Sequence, residues 1–217
     1  SSVLSRLLEN KLEQVLSRQQ QAILFLNRRG KATYVFCRNC GKSLRCPNDK
    51  QPLVWHGPQT GLLCHLCGYT RKMPEICPEC GSKQIRQLGL GTARLEDMVK
   101  KNFPNARILR WDADTTKNKN DHDLILSHFA AHRADILIGT QMLAKGLDLP
   151  LVTLVGIILA EVGLNLPDYR AAERSFQVLT QVSGRAGRSP LGGEVVLQTY
   201  EPDNYVIQAA ARHDYEG

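Results

Sequence analysis

The sequence predicts an α/β fold: a parallel sheet covered by helices on both faces and interrupted, after its first strand, by a small cysteine-bearing module. Short apolar runs of strand length alternate with stretches of helical periodicity, and helices of that length between strands imply parallel pairing. All seven cysteines fall between Cys37 and Cys80. Over that same stretch the periodic apolar pattern gives way to Cys, Pro, Gly and Lys.

The first element is an amphipathic helix over 3–20, with Leu4, Leu8, Leu12 and Val15 at helical spacing. Residues 22–26 (AILFL) form an apolar strand that leaves the core through the polar turn Asn27-Arg28-Arg29-Gly30. The module that follows has few residues able to build a core. Beyond it, Gly89-Leu-Gly-Thr92 leads into a helix through Lys100, with Thr92 as its N-cap. Residues 107–111 (RILRW) read as a strand, 121–132 as a helix and 135–139 (DILIG) as a strand. Residues 152–159 are continuously apolar, the signature of a strand buried on both faces. Residues 168–183 carry Tyr169, Ala172, Phe176 and Leu179 at helical spacing, and 194–199 (EVVLQT) close as a strand. The domain division is therefore 1–35, an inserted module at 36–88, and 89–217.

Bulk properties narrow the class. With 217 residues, 42% hydrophobic and 23% charged, the chain has a globular balance rather than a disordered or collagen-like one. The longest apolar run, 151–160, is about half the roughly 18 residues of a spanning helix. No signal-peptide pattern opens the chain and Ser1 is not an initiator Met, so the expectation is a soluble, cytoplasmic protein cut from something longer. The net charge of +7 suits an anionic partner such as nucleic acid, although no run of five or six cations concentrates it.

The cysteines form the pairs C37-R-N-C40-G, C64-H-L-C67-G and C77-P-E-C80-G, with Cys46 left over. An odd number argues against a disulfide framework. A C-x-x-C turn presents two thiolates to one ion, and a following glycine supplies the positive φ that points backbone amides at the sulfurs. Gly41, Gly68 and Gly81 stand at that position. Structural zinc explains three such knuckles better than redox chemistry, whose motif stands alone at a strand–helix junction. It also explains how a module so poor in apolar side chains folds. The fourth half-site, C46-P-N-D49, has the right spacing but an aspartate in place of the second thiolate. Cys46, Asp49, Cys64 and Cys67 can still close a site, with His56 or His65 as substitutes, and this second site is expected to be weaker or empty. From Cys37 to Arg86 there are eight Lys/Arg against three Asp/Glu. Loading seven thiolates with two zinc ions leaves the module mildly basic, at about +2.

The second chemical signal is residues 135–155, D-I-L-I-G-T-Q-M-L-A-K-G-L-D-L-P-L-V-T-L-V. A buried strand ends in Thr140-Gln141, at the carboxyl edge of a parallel sheet where open α/β folds bind ligands. Gly146 permits close backbone approach, and Asp148 offers a carboxylate expected at the same edge. Further on, Gln181-Val-Ser-Gly-Arg185-Ala-Gly-Arg188 ends a helix with glycines flanking two arginines. A guanidinium so placed reaches across a domain cleft toward a transferring γ-phosphoryl group. The plain alternative is a C-cap and turn, where cations are favoured anyway. The co-occurrence of both stretches, one βα step apart, favours the functional reading.

These stretches resemble superfamily 2 helicases. Residues 140–150 (TQMLAKGLDLP) look like motif V, 181–188 (QVSGRAGR) like motif VI and 25–30 (FLNRRG) like motif IV. Residues 110–116 (RWDADTT) and 167–177 (PDYRAAERSFQ), with the nested cysteine insert, narrow the resemblance to the primosomal replication-restart helicases. The resemblance covers nearly all of the chain. It implies a RecA-like parallel-sheet lobe, the second of a two-lobe motor, carrying an inserted double zinc-binding module. The implied activity is ATP-dependent 3′-to-5′ DNA unwinding in primosome assembly and restart of stalled forks. It further implies one zinc site at Cys37, Cys40, Cys77 and Cys80, enclosing a second at Cys46, Cys64 and Cys67. Arg185 and Arg188 become nucleotide-sensing arginines, Gly146, Asp148 and Gln181 line the nucleotide cleft, and Thr140 and Gln141 couple ATP to DNA. The implied cofactors are Zn2+ in this chain, and ATP with Mg2+ in a full-length parent. The implied partners are forked and single-stranded DNA, single-stranded DNA-binding protein, and primosome proteins including the replicative helicase loader, with no membrane.

The chain departs from that family at three places. Asp49 replaces a zinc-ligand cysteine, and Glu161 stands where the family has Asp, one methylene longer. It also contains no G-x-x-x-x-G-K-[ST] and no D-E-x-H. Gly89-Leu-Gly-Thr-Ala-Arg94 is no phosphate loop, since Arg94 fills the third glycine position. The chain alone is therefore expected to be catalytically silent. The rival readings are a non-enzymatic zinc-stabilised scaffold that binds DNA or primosome proteins, and a zinc ribbon of the transcription apparatus, which leaves both arginine motifs unexplained.

Overall fold

A computed structural model describes residues 3–27, 33–88, 91–116, 118–140, 149–164, 170–184, 186 and 189–212. Among them, two sheets organise the chain. The first contains β1 (Gln21–Leu26), β7 (Ile108–Trp111), β8 (Ile136–Gly139), β9 (Val152–Ile158) and β10 (Glu194–Gln198), in the order β10-β9-β1-β8-β7 with every pairing parallel. This is the expected parallel sheet. The helices are α1 (Arg6–Ser17), α2 (Thr92–Asn102), α3 (Lys119–Ala130), α4 (Ala171–Ser183) and α5 (Tyr205–Arg212). None of them is long and apolar enough to cross a membrane.

Strand alternation divides the core. Ala22, Leu24 and Leu26 of β1 pack with Leu8, Leu12 and Val15 of α1 and Leu95 and Val99 of α2. Ile23 and Phe25 face the other side, toward Phe129 of α3, Leu179 and Val182 of α4, and Ile207 of α5. β9 is buried along its whole length because both faces are covered. Gly156 at its middle is where α1 comes closest: a Cβ there would lie 2.7 Å from Leu24 Cδ2 and 2.8 Å from Leu8 Cδ1.

The second sheet is antiparallel, with β2 (Thr33–Cys37), β3 (Val54–Trp55), β4 (Leu62–Leu63), β5 (Thr70–Arg71) and β6 (Ile85–Leu88) in the order β5-β4-β3-β2-β6. Here the expectation of a nearly coreless module is corrected. Val35, Leu44, Leu53 and Leu62 are fully buried together with Cys46 and Cys64, so the cysteine chains themselves complete a small core. Strands of two residues leave no periodic trace in the sequence, which is why they were not expected.

Thr92 is not the N-cap of α2. Gly91 occupies that position, and the Thr92 hydroxyl instead donates to the carboxylate of Asp112. Asp112 closes the turn after β7: its Oδ1 accepts from the amides of Asp114 (2.9 Å) and Thr115 (3.0 Å), and Arg110 Nε lies 2.9 Å from its Oδ2. Burial opposes ionisation there, but the Thr92 hydroxyl, the amides and the arginine together hold Asp112 below the ordinary carboxylate range. The run RWDADTT is thus a staple between β7 and the start of α2.

The seat of α1 on β9 is testable. Gly156→Val is expected to destabilise the chain by about 1–3 kcal/mol, read as a lower urea midpoint at unchanged slope. An unchanged midpoint would mean that α1 does not dock there.

Candidate metal centres and the two edges of the sheet

The four half-sites share one backbone fold. The amides of Gly41, Lys50, Gly68 and Gly81 donate to the carbonyls of Cys37, Cys46, Cys64 and Cys77 at 2.8, 3.0, 3.0 and 2.9 Å. All four of these residues have positive φ, between 61° and 76°. Lys50 is the informative one. It holds the left-handed conformation without being glycine, so the fourth half-site keeps the knuckle turn although its sequence signal is broken.

Cys37, Cys40, Cys77 and Cys80 converge, as do Cys46, Asp49, Cys64 and Cys67, with the ligand atoms of each group within 4.8 Å of one another. Tetrahedral zinc with Zn–S of about 2.3 Å requires sulfurs about 3.8 Å apart. Cys37 and Cys80 stand at 3.7 Å, and Cys40 and Cys77 at 3.8 Å. In the second group Cys46 and Cys67 stand at 3.5 Å. There Cys64 Sγ lies 3.1 Å and 3.5 Å from the two oxygens of Asp49, against about 3.5 Å for a mixed sulfur–oxygen edge. Both groups fit zinc.

The electrostatics divide the thiols, drawing some toward the thiolate and holding others protonated. Burial raises the Cys37 thiol, but the amides of Cys40 and Asn39 and the neighbouring thiols outweigh it and bring the pKa down to about 7. Burial pushes Cys40 up to about 12 and Cys64 up to about 11, so a metal ion must displace those protons. The Gln51 amide, 2.9 Å from Oδ1, draws Asp49 below its ordinary value and keeps it anionic for ligation. Two asparagines occupy matching positions: Asn39 Nδ2 lies 3.7 Å from Cys80 Sγ and Asn48 Nδ2 3.5 Å from Cys67 Sγ. Each supports the thiolate of the opposite knuckle. His56 and His65 join neither group. Their Nε2 atoms face each other at 3.0 Å on the surface, so neither substitutes for Asp49.

The motor stretches lie only partly within the described residues. Gln141, Gly146, Asp148, Arg185 and Arg188 fall outside them. Thr140 follows β8 at the carboxyl edge, and Gln181 is exposed near the end of α4. The residues that flank both stretches are described. Leu149, next to Asp148, turns into β9 at the amino edge, where Val152 N donates to its carbonyl at 3.1 Å. Ser189 Oγ donates to Pro150 O at 2.6 Å at that same end. The connection after Thr140 therefore crosses from one edge of the sheet to the other, because β8 and β9 are parallel. Thr140 and the residue beside Asp148 do not share an edge.

Glu161 is more than a lengthened aspartate. It is fully buried in the short 3-10 turn Ala160–Gly163, and its Oε2 accepts from Thr199 Oγ1 at 2.7 Å. Burial pushes its carboxyl above the ordinary value, with the Thr199 hydroxyl opposing.

Comparison with known proteins gives this geometry a family. The family model of the helicase conserved C-terminal domain matches residues 81–190. The chain belongs to the helicase C-terminal domain family. This helicase lobe is 49% identical over 215 residues to replication restart protein PriA of Bacillus subtilis (strain 168), covering 99% of this chain and 27% of that protein. It is 47% identical to PriA of Synechocystis sp., covering 100% of this chain and 26% of the relative. With PriA of Chlamydia trachomatis it shares 45% identity, covering 94% of this chain and 27% of the relative. The lobe thus spans about a quarter of the length of these curated relatives.

Two outcomes follow from the site. The zinc-loaded lobe is expected to give up its metal to a chelator in two phases, the faster from the Asp49 site, and Asp49→Cys should slow that phase alone; a single phase unaffected by Asp49→Cys would contradict the assignment. Glu161 has a raised folded pKa, so the folded state holds its proton to higher pH than the unfolded chain does. Stability from this group is lost as pH rises from the ordinary carboxylate value through the raised one. In urea melts Glu161→Gln should therefore gain on the parent sequence between pH 4 and pH 8, and a constant difference would rule out the shift.

Proposed function

We propose that this chain is the second motor lobe of an ATP-dependent 3′-to-5′ DNA helicase that assembles primosomes and restarts stalled forks. Its division into lobe (1–35 and 89–217) and inserted module (36–88) is part of that proposal. The observation that carries it is the crossing connection. Thr140 follows β8 at the carboxyl edge, whereas Leu149 and Pro150 meet Ser189 at the amino edge. Changes at the two edges are thereby linked through one stretch of sequence. Thr140 and Gln141 then contact DNA, while Arg185 and Arg188 reach the γ-phosphate from the other end, with Gly146, Asp148 and Gln181 lining the nucleotide cleft.

ATP and Mg2+ are held mainly by the first lobe, which carries the phosphate loop and acidic motif missing here, so the chain alone is inactive. Zinc at the two cysteine groups builds the module. Two zincs leave it only mildly basic, so it docks forked DNA together with protein partners rather than acting as a purely electrostatic clamp. Those partners are single-stranded DNA-binding protein and primosome proteins including the replicative helicase loader, in the cytoplasm.

The arginine assignment separates this reading from a scaffold. In the full-length parent, Arg188→Ala should lower DNA-stimulated ATP hydrolysis by about a thousandfold or more, with DNA affinity nearly unchanged. An equal loss of binding and turnover would mean that the arginine holds DNA and not nucleotide.

A further inference from the structure

Among the described residues, the cysteine module meets the parallel-sheet lobe at the first knuckle. Phe36, beside the first zinc ligand, packs on the ring of Tyr200, with centroids 4.4 Å apart and planes at 38°. Gly41, which closes the first knuckle with φ +75°, lies against the Tyr200 carbonyl so closely that a Cβ would collide with its oxygen. Tyr200 follows Thr199, whose hydroxyl does two things at once. It accepts from Glu201 N at 2.9 Å and donates to Glu161 Oε2 at 2.7 Å.

Glu161 in turn sits in the turn that ends β9, and Ala160 O of that turn accepts from Asn27 Nδ2 at 2.6 Å. Asn27 is 2% exposed and ends β1, with its amide 3.3 Å from Ile158 O. Gly163 closes the arrangement, since a Cβ there would come within 2.6 Å of Ser175 Oγ and 2.8 Å of Asn27 Nδ2. β1 pairs with β8 up to Phe25↔Gly139, one residue before Thr140. An unbroken run of short contacts therefore joins the Cys37–Cys40 knuckle to the carboxyl edge of the sheet.

We propose that residues 199–201 are a coupling strap: through the Tyr200–Gly41 contact and the Thr199–Glu161 hydrogen bond, metal loading of Cys37, Cys40, Cys77 and Cys80 sets the order of the carboxyl edge at Asn27 and 159–163. Thr199 and Glu161 are positioning residues in this scheme. Zinc at the four cysteines would hold the knuckle, the knuckle fixes Tyr200, and Tyr200 leaves the Thr199 hydroxyl aimed at the buried carboxylate of Glu161. An aspartate at 161 would be one methylene short of that hydroxyl, which gives the longer acid a purpose. The proposal stands on contacts within this chain and is independent of the helicase reading.

Amide hydrogen exchange on the zinc-loaded chain tests it, because exchange reports local opening segment by segment. Thr199→Val is close in shape but cannot donate, whereas Thr199→Ser can. With zinc bound, Thr199→Val should speed exchange across 159–164 by about tenfold and leave the knuckle amides protected, and Thr199→Ser should match the parent sequence. Stripping zinc with a chelator should speed exchange at 159–164 in the parent sequence, together with the knuckles, while β7 and β8 stay protected. In Thr199→Val the same treatment should free the knuckles and add nothing at 159–164. Unchanged exchange at 159–164 in zinc-loaded Thr199→Val overturns the proposal, even if chelation unfolds the whole chain. So does a full response to chelation in that variant.

Discussion

A strand in a parallel sheet can be followed by a parallel neighbour only if the chain returns to the end where the first strand began. Every connection between neighbouring parallel strands in this lobe obeys that constraint, and the function proposed for it depends on the same fact. β8 ends at Thr140 on the carboxyl edge, and Leu149 leads into β9 at the amino edge. Thr140 and the Pro150–Ser189 contact consequently lie at opposite edges of the sheet. Placing both at one edge would need antiparallel strands, whereas β9 runs parallel to both of its neighbours and is buried along its whole length. Both its faces are covered, by α1 on one side and by α4 with α5 on the other.

The inserted module solves a different problem. Its core is too small to hold five short strands on apolar contact alone, and it recruits Cys46 and Cys64 into that core. Those two cysteines thus belong both to a group that fits zinc and to the core beneath the sheet. The insert joins the lobe through its two ends, β2 and β6, and through the seat of Gly41 on Tyr200.

Much of this was legible in the sequence, for identifiable reasons. β1, β8 and β9 are written as AILFL, DILIG and VTLVGII because strands covered on both faces need no polar alternation. The knuckles at Cys37, Cys64 and Cys77 are legible because glycine marks the positive φ. The fourth is not, because Lys50 adopts that conformation without the mark and Asp49 joins the group without a sulfur. Thr92 misled because a threonine before a helix is a good cap, yet Gly91 serves there and Asp112 claims the hydroxyl from 20 residues away. The role of Glu161 was hidden for the same reason: its partner, Thr199, is 38 residues distant. Residue types reveal local chemistry, and only the fold shows which distant groups share a site.

The lobe is proposed as half of a working motor. Its most direct test is ATP hydrolysis by the full-length parent, with and without forked DNA. Turnover that rises on adding the fork is the expected result. No turnover under either condition, with zinc bound and fork binding intact, would contradict the account and leave the chain a scaffold.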